Sequence, residues 1–446
     1  MPAIINKLKI LGKREENKEL IKHSFIALFL RVGGAGIAFL MNIVVARNLG
    51  ASQAGYFFLA VSITTLISSI GRVGADQTVL RFVGIHAAKN EWAEVHGVMK
   101  KMMSWTYLPL LFFTSIICIF AAPISTYIFH KPELQWPLFW TAIIMPFFAG
   151  YNVLGMALQG LRKVAFSVTV LKILTPLFLI ALVFAFRPKD ATYTSVYYAI
   201  ACILNLLLGY YWWYKSAPKT SAPKNYDTST LWKSSGPLWL SAIMNQVTIW
   251  AGQLIAGIYL NSVDVAQLAV ARNITVLITF IMLAVNNVSA PRIASMYQNG
   301  EMNKLKNYVR NTTWLMTLVS LPITILVWFF PELIMSLFGK GFTEGYWLLR
   351  ILALGQFVSV VSGIVGTLLI MSGFEKDLKN IRIFNGVLAI ILAFILTPLY
   401  GAIGSALSSA IAMALFNLVC VFYVKKRLGF STLSLLWNFD KTKKDI

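Results

Sequence analysis

Charge is scarce in this chain, and acid is scarcer. Of 446 residues 13% are charged, and Asp and Glu number 17 against 39 Lys and Arg. Soluble proteins carry about twice that charged share, roughly 25%. This composition cannot cover the surface of a soluble fold, which excludes a soluble enzyme, a secreted domain and a disordered scaffold. Cysteine is nearly missing. Cys118, Cys202 and Cys420 all lie in apolar runs, with no CxxC and no Cys/His cluster. That excludes a disulfide framework and a structural zinc site. The four histidines, His23, His86, His96 and His130, are scattered in loops or at helix edges and read as surface residues. There is no nucleophile–base set and no Gly-rich phosphate loop. Gly33-Gly34-Ala35-Gly36 lies inside an apolar run and reads as close helix packing. No metal, resident cofactor or catalytic residue is expected.

Apolar sequence is what the chain has in abundance. Hydrophobic residues make up 58% and the mean hydropathy is +0.70. The net charge of +22 could suggest nucleic acid, but a basic soluble protein would not be this apolar. The composition therefore predicts a polytopic membrane protein, in contact with lipid and not with nucleic acid, whose positive charges lie on the cytoplasmic side.

A bilayer core needs about 20 mostly apolar residues per helix. Such runs fall at approximately 24–46, 54–75, 102–122, 135–157, 165–186, 193–214, 235–260, 265–289, 312–330, 346–370, 381–398 and 402–424. The first is too long for a signal-peptide core and is expected to remain as a transmembrane helix. With the N-terminus placed inside, the inner segments hold 28 Lys and Arg and the outer loops five. The remaining six are Arg31, Arg72, Lys172, Arg272, Arg350 and Arg382, within or at the edges of spans. This asymmetry places both termini in the cytoplasm.

Sliding the chain by 211 positions aligns Ser62-Ile63-Thr64 with Asn273-Ile274-Thr275, and Arg81 with Arg292. After two extra residues, Gln159-Gly160-Leu161-Arg162-Lys163 falls on Ser372-Gly373-Phe374-Glu375-Lys376. The expected fold is all-α, twelve transmembrane helices in two six-helix lobes related by a pseudo-two-fold axis along the membrane normal. The predicted organisation is a cytoplasmic segment 1–23, an N-lobe 24–214, a linker 215–233, a C-lobe 234–424 and a tail 425–446. Repeats of this kind place a substrate path at their interface.

Basic side chains in the bilayer are costly and usually face a cavity, unless the head snorkels to the interface. Depth separates the two at about 1.5 Å per residue. Arg31 and Lys172 lie about 10 Å in from the cytoplasmic side and Arg272 about 12 Å in from the outer side. Arg72, at the end of a span, and Arg350, about 6 Å in, fit either reading. Arg382, which begins a span, is expected to snorkel. Helical spacing sets Asn42 on the face of Arg31 and Ser68 on that of Arg72; Asn245 and Thr248 share a face, as do Arg272, Thr275, Thr279 and Asn286. These side chains line a polar cavity in this reading, or bond between packed helices in the alternative. No Asp or Glu lies deep in a span, so an unpaired guanidinium calls for an anionic ligand such as phosphate or carboxylate.

The segment Ala46-Arg47-Asn48-Leu49-Gly50-Ala51-Ser52-Gln53-Ala54-Gly55-Tyr56 resembles the signature of the polysaccharide flippases. These are the O-antigen and related lipid-linked oligosaccharide translocases of the multidrug/oligosaccharidyl-lipid/polysaccharide superfamily. Leu158-Gln159-Gly160-Leu161-Arg162-Lys163 is similar to their turn after the fourth helix. Ala290-Pro291-Arg292-Ile293-Ala294 with Gly300-Glu301 resembles their loop after the eighth. The resemblance implies two six-helix bundles around a central cavity in a bacterial cytoplasmic membrane. It implies movement of a polyprenyl-pyrophosphate-linked oligosaccharide, as in O-antigen or lipopolysaccharide assembly, from inner to outer leaflet by alternating access. Arg31, Lys172 and Arg272 would hold pyrophosphate and acidic sugars. It also implies coupling to H+ or Na+, for which this chain lacks the expected buried carboxylate. A polysaccharide polymerase and a chain-length regulator would be partners of a monomeric flippase. A cation or drug antiporter of the same superfamily would be expected to carry buried acids. A peptidoglycan-precursor flippase typically has two more helices. A membrane glycosyltransferase or polymerase would need sizeable catalytic loops, which the short outer segments do not supply.

Overall fold

A computed structural model describes residues 2–218, 223–224 and 226–433, with side chains from Phe29 onward except at a few helical positions. Parts of three expected segments lie outside the described residues: the side chains of 1–23, positions within the linker, and the tail beyond 433.

The described residues are helical almost throughout. In chain order the helices are α1 (Pro2–Gly71), α2 (Ala75–Ala88), α3 (Trp92–Pro123), α4 (Gln135–Gly160), α5 (Val164–Val168), α6 (Leu174–Phe186), α7 (Ala191–Ser216) and α8 (Thr228–Tyr259). They continue as α9 (Ser262–Thr275), α10 (Phe280–Gln298), α11 (Met302–Phe329), α12 (Pro331–Ser336), α13 (Tyr346–Ser362), α14 (Val365–Met371) and α15 (Glu375–Leu428). Among the described residues, nine helices are long and apolar enough to cross a membrane. The fold is therefore the all-α membrane class that the composition predicts, because only closed backbone hydrogen bonding survives in lipid.

The two longest helices are each broken at a glycine. In α1 it is Gly50, at φ 72° and ψ 171°, and in α15 it is Gly401, at φ 60° and ψ −137°. A positive φ is open to glycine at little cost and strained for other residues. The arms on either side of Gly50, residues 29–49 and 51–71, each approach the ~20 residues that a bilayer core asks for.

The first-half helices α1 to α7 pack around α4, and the second-half helices α8 to α15 pack around α15 and α13. One end of the molecule ties the halves together. The Ser52 and Ser262 hydroxyls meet at 3.1 Å, and a Cβ on Gly55 would lie only 1.8 Å from the Ser262 carbonyl oxygen. Arg47 Nε donates to the Leu337 carbonyl at 2.6 Å. Lys131, 8% exposed, donates from Nζ to the carbonyls of Phe129 at 3.0 Å and Gly257 at 2.6 Å. Burial holds that ammonium below its ordinary pKa. The opposite end carries the basic loops. There the linker straps onto the α2–α3 turn: Lys224 Nζ pairs with Glu94 at 3.0 Å, and the Lys224 amide donates to the Ala93 carbonyl at 3.0 Å. His86 bridges Glu91 at 2.6 Å and the Tyr226 hydroxyl at 2.8 Å. His86 thus stands in the last turn of α2 as a bonded part of the strap.

Candidate functional site

Between the first arm of α1 and the α9–α10 segment lies a cavity of about 460 Å³. Its polar lining comes from Arg31 and Asn42 on α1, Gln159 at the end of α4, Lys172 after α5, and Asn273 and Asn286 from the second half. The first half thus supplies both cations, and the second half supplies two amides.

Both walls depart from regular α-helix where they line it. Thr169–Ile173, between α5 and α6, is a π-helical turn containing Lys172. Val276–Thr279, between α9 and α10, is a 3-10 turn. Such irregularities inside longer helices often mark functional sites. The π turn is held from behind. Buried Asn205 on α7 donates to the Val170 carbonyl at 2.9 Å and to the Thr175 hydroxyl at 2.8 Å. It is held from the front by Gly34, where a Cβ would come within 3.0 Å of Lys172 Cβ. Of the glycines in that run, Gly34 makes this close approach, whereas Cβ atoms on Gly33 and Gly36 would meet nothing within 4 Å.

Among the described residues, neither Arg31 nor Lys172 has a hydrogen-bond or carboxylate partner. Two cations therefore share one cavity with no counter-charge from the protein. Asn42 donates to the Ala38 carbonyl at 2.8 Å, and Asn286 Oδ1 accepts from Thr367 at 2.8 Å, so both amides are oriented by their own surroundings. This arrangement can bind an anion and offer hydrogen bonds around it. It contains no acid–base pair or nucleophile set for covalent chemistry.

The other sequence-selected residues are distributed differently. Arg272 stands next to cavity-lining Asn273 but is not itself in the wall. Its guanidinium lies 3.5 Å from the Trp250 ring centre and donates to the Ile249 carbonyl at 3.3 Å. Arg72 is not a cavity residue: it is 8% exposed and pairs with Asp76 at 3.0 Å. Helical i,i+4 spacing brings that acid to it, although Asp76 sits at a span end. Arg350 is also removed from the cavity, because Trp328, Tyr346 and Trp347 surround its guanidinium at 5.7, 5.6 and 4.9 Å and its Nε donates to the Trp328 carbonyl at 3.0 Å. Of the expected polar lining, Asn42 is in the wall. Ser68 is buried beside Arg72; Thr275 and Thr279 donate to the carbonyls of Arg272 and Val276; Thr248 bonds Asn385; Asn245 lies elsewhere on α8. For these hydroxyls the packing role prevails. Asn286, which helical spacing groups with Arg272, Thr275 and Thr279, is in the wall although those three are not, and Asn273 and Gln159 were missed because they share no face with the cations singled out in the sequence.

Helices of membrane-spanning length around an electropositive interhelical cavity define a polytopic transport-type membrane protein. The chain belongs to the polysaccharide biosynthesis protein family, which residues 20–298 match, while residues 237–395 match the MatE family. It is 24% identical over 439 residues to a probable low-salt glycan biosynthesis flippase, Agl15, of Haloferax volcanii, covering 93% of this chain and 88% of the relative. It is 21% identical over 433 residues to an uncharacterized membrane protein of Methanocaldococcus jannaschii, covering 90% and 83%. Among solved structures it is similar to an inward-facing MATE family multidrug resistance transporter of the MOP superfamily, at a TM-score of 0.74 and 13% identity over 91% of this chain and 98% of that one. It is also similar to the lipid II flippase MurJ in an inward closed conformation, at a TM-score of 0.72 and 17% identity over 91% and 87%. These likenesses establish the MOP-type fold.

Proposed function

We propose that the protein is a flippase for a polyprenyl-pyrophosphate-linked oligosaccharide, such as the repeat unit of an O-antigen or another surface polysaccharide. The observation that carries this reading is the pair Arg31 and Lys172, without partners in a cavity where the halves meet. A charge in that position is costly unless a ligand neutralises it. Guanidinium and ammonium both suit phosphate oxygens. The pyrophosphate would sit between Arg31 and Lys172, with the amides of Asn42, Asn273 and Asn286 near the first sugars. Arg272 would serve as a further cation once freed from Trp250. The isoprenoid tail would stay in the bilayer. Twelve crossings in two lobes, both termini in the cytoplasm of a bacterial cell and alternating access from inner to outer leaflet complete the proposal. The Agl15 relative, whose name gives it a glycan-biosynthesis flippase role, supports the cargo class.

The test is transport in proteoliposomes loaded with a fluorescent undecaprenyl-pyrophosphate-linked oligosaccharide. The intact protein should expose inner-leaflet cargo to an external quencher, and Arg31→Ala with Lys172→Ala should not, at equal reconstitution. Equal transport by both proteins would overturn the proposal. The MatE match over residues 237–395 favours a second reading, an ion-coupled exporter. That reading predicts efflux of an amphiphilic solute driven by an imposed H+ or Na+ gradient, insensitive to Lys172→Ala.

A further inference from the structure

The halves meet again near the basic end, away from the cavity. Trp239 Nε1 on α8 donates to the Ile70 carbonyl at 2.8 Å, and a Cβ on Gly74 would lie 2.7 Å from the Ser235 carbonyl oxygen. Beside this contact is a depression of about 350 Å³ with a wholly apolar wall of Val73, Trp105, Leu108, Pro109 and Trp232. Trp105 on α3 and Trp232 on α8 face each other edge-on with ring centres 6.1 Å apart, and Trp232 meets Trp239 at the same distance. Tryptophan pairs of this kind belong to the membrane interface, where one edge is apolar and the other wet.

The rim is charged on one side. Lys101, Trp105 and Leu108 follow one another at helical spacing, so they share a face of α3. Lys101 lies one turn nearer the basic end, about 6 Å from Trp105 along the axis. Lys100 beside it is exposed. Among the described residues neither lysine has a carboxylate partner, whereas nearby Arg72 is neutralised by Asp76 at 3.0 Å.

We propose that this depression is a binding site for one acyl chain of an anionic phospholipid, with its headgroup phosphate at Lys101 and Lys100. Hydrocarbon fills a wall that offers no hydrogen bond, and the two free ammonium groups select the headgroup. The wall is drawn from α3 and α8 together, so the lipid binds only while those helices meet. A bound lipid therefore favours this arrangement of the halves over any in which they part. The site does not depend on what the cavity carries.

The test is native mass spectrometry of the full chain, delipidated in detergent and titrated with phosphatidylglycerol, phosphatidylcholine or undecaprenyl phosphate. One phosphatidylglycerol should remain bound where phosphatidylcholine dissociates. Lys100→Gln with Lys101→Gln should weaken phosphatidylglycerol by roughly thirtyfold, about fivefold for each lysine near the surface, and leave phosphatidylcholine unchanged. Lys101→Arg, which keeps the charge, should leave phosphatidylglycerol binding at the level of the intact protein. Leu108→Trp, at a position 67% exposed, fills the depression and should weaken both lipids. Equal retention of the two phospholipids would overturn the proposal, as would unchanged phosphatidylglycerol binding in the lysine pair or preferential retention of undecaprenyl phosphate. Should Leu108→Trp fail to fold, the lysine pair alone decides.

Discussion

The two halves of the chain put a cation on the same kind of helix pair and use it in opposite ways. In the first half, α1 packs on the π turn through Gly34, and Lys172 and Arg31 are left facing an open cavity. In the second half, α8 packs on α15 through Gly386, where a Cβ would come within 3.2 Å of the Met244 carbonyl oxygen. There Arg382 donates to the Ser241 hydroxyl at 2.8 Å and Asn385 to the Thr248 hydroxyl at 3.3 Å, and the interface is closed. Whether a membrane cation is free for a ligand therefore turns on whether the facing helix offers it a polar partner. Depth along the helix does not decide it.

The largest effect that would break or sharpen this contrast comes from a matched pair of variants. Lys172→Ala should lower transport of the lipid-linked oligosaccharide roughly ten- to hundredfold, the worth of a charge-assisted hydrogen bond to phosphate, with little change in thermal stability. Arg382→Ala should do the reverse, lowering stability by about 1–3 kcal/mol through an unsatisfied Ser241 while transport persists. Thermal unfolding in detergent and proteoliposome flux measure the two quantities side by side. Loss of transport in a fully stable Arg382→Ala protein would erase the asymmetry.

An intermediate effect is expected where the halves touch most closely. Gly55→Val must push α1 away from the Ser262 carbonyl, at a cost of about 1–3 kcal/mol. Disulfide formation between Ser52→Cys and Ser262→Cys should then fall, whereas in the unmodified background it should be efficient. The smallest effect concerns the linker strap. The Lys224 ammonium holds the Glu94 carboxyl below its ordinary value of 4.5. The strap gains from that charge above the ordinary value and loses it as pH falls through the depressed one. Proteolytic nicking of residues 217–227 by an acid protease should accordingly rise in that acid window. At neutral pH Glu94→Gln should speed tryptic cleavage there by less than about fivefold, as befits an exposed ion pair.

Apolar run length made the helices legible in the sequence, because a lipid environment leaves the backbone few alternatives. The Gly50 break was legible as a loop between two runs. The site was legible in part. Arg31 and Lys172 could be picked out because no acid in their own spans answers their charge, and Asn42 because helical spacing sets it on the face of Arg31. Arg72 and Arg350 stayed open between cavity and interface, since their partners are Asp76 one turn on and an aromatic cage contributed partly by Trp328 on another helix. Lys131 lies in a short connection, and its burial against the Gly257 carbonyl arises only when the halves meet. The π turn at Lys172 leaves no pattern in the residues that form it. Its support, Asn205, lies on a later helix.

The account stands on an anion being bound by Arg31 and Lys172 together. The most direct measurement is equilibrium binding of undecaprenyl pyrophosphate, without any sugar, to the purified chain and to Arg31→Gln with Lys172→Gln. The account predicts that the intact protein binds it more tightly than undecaprenol and that the double variant loses this preference. Retention of the full preference by the double variant would contradict it.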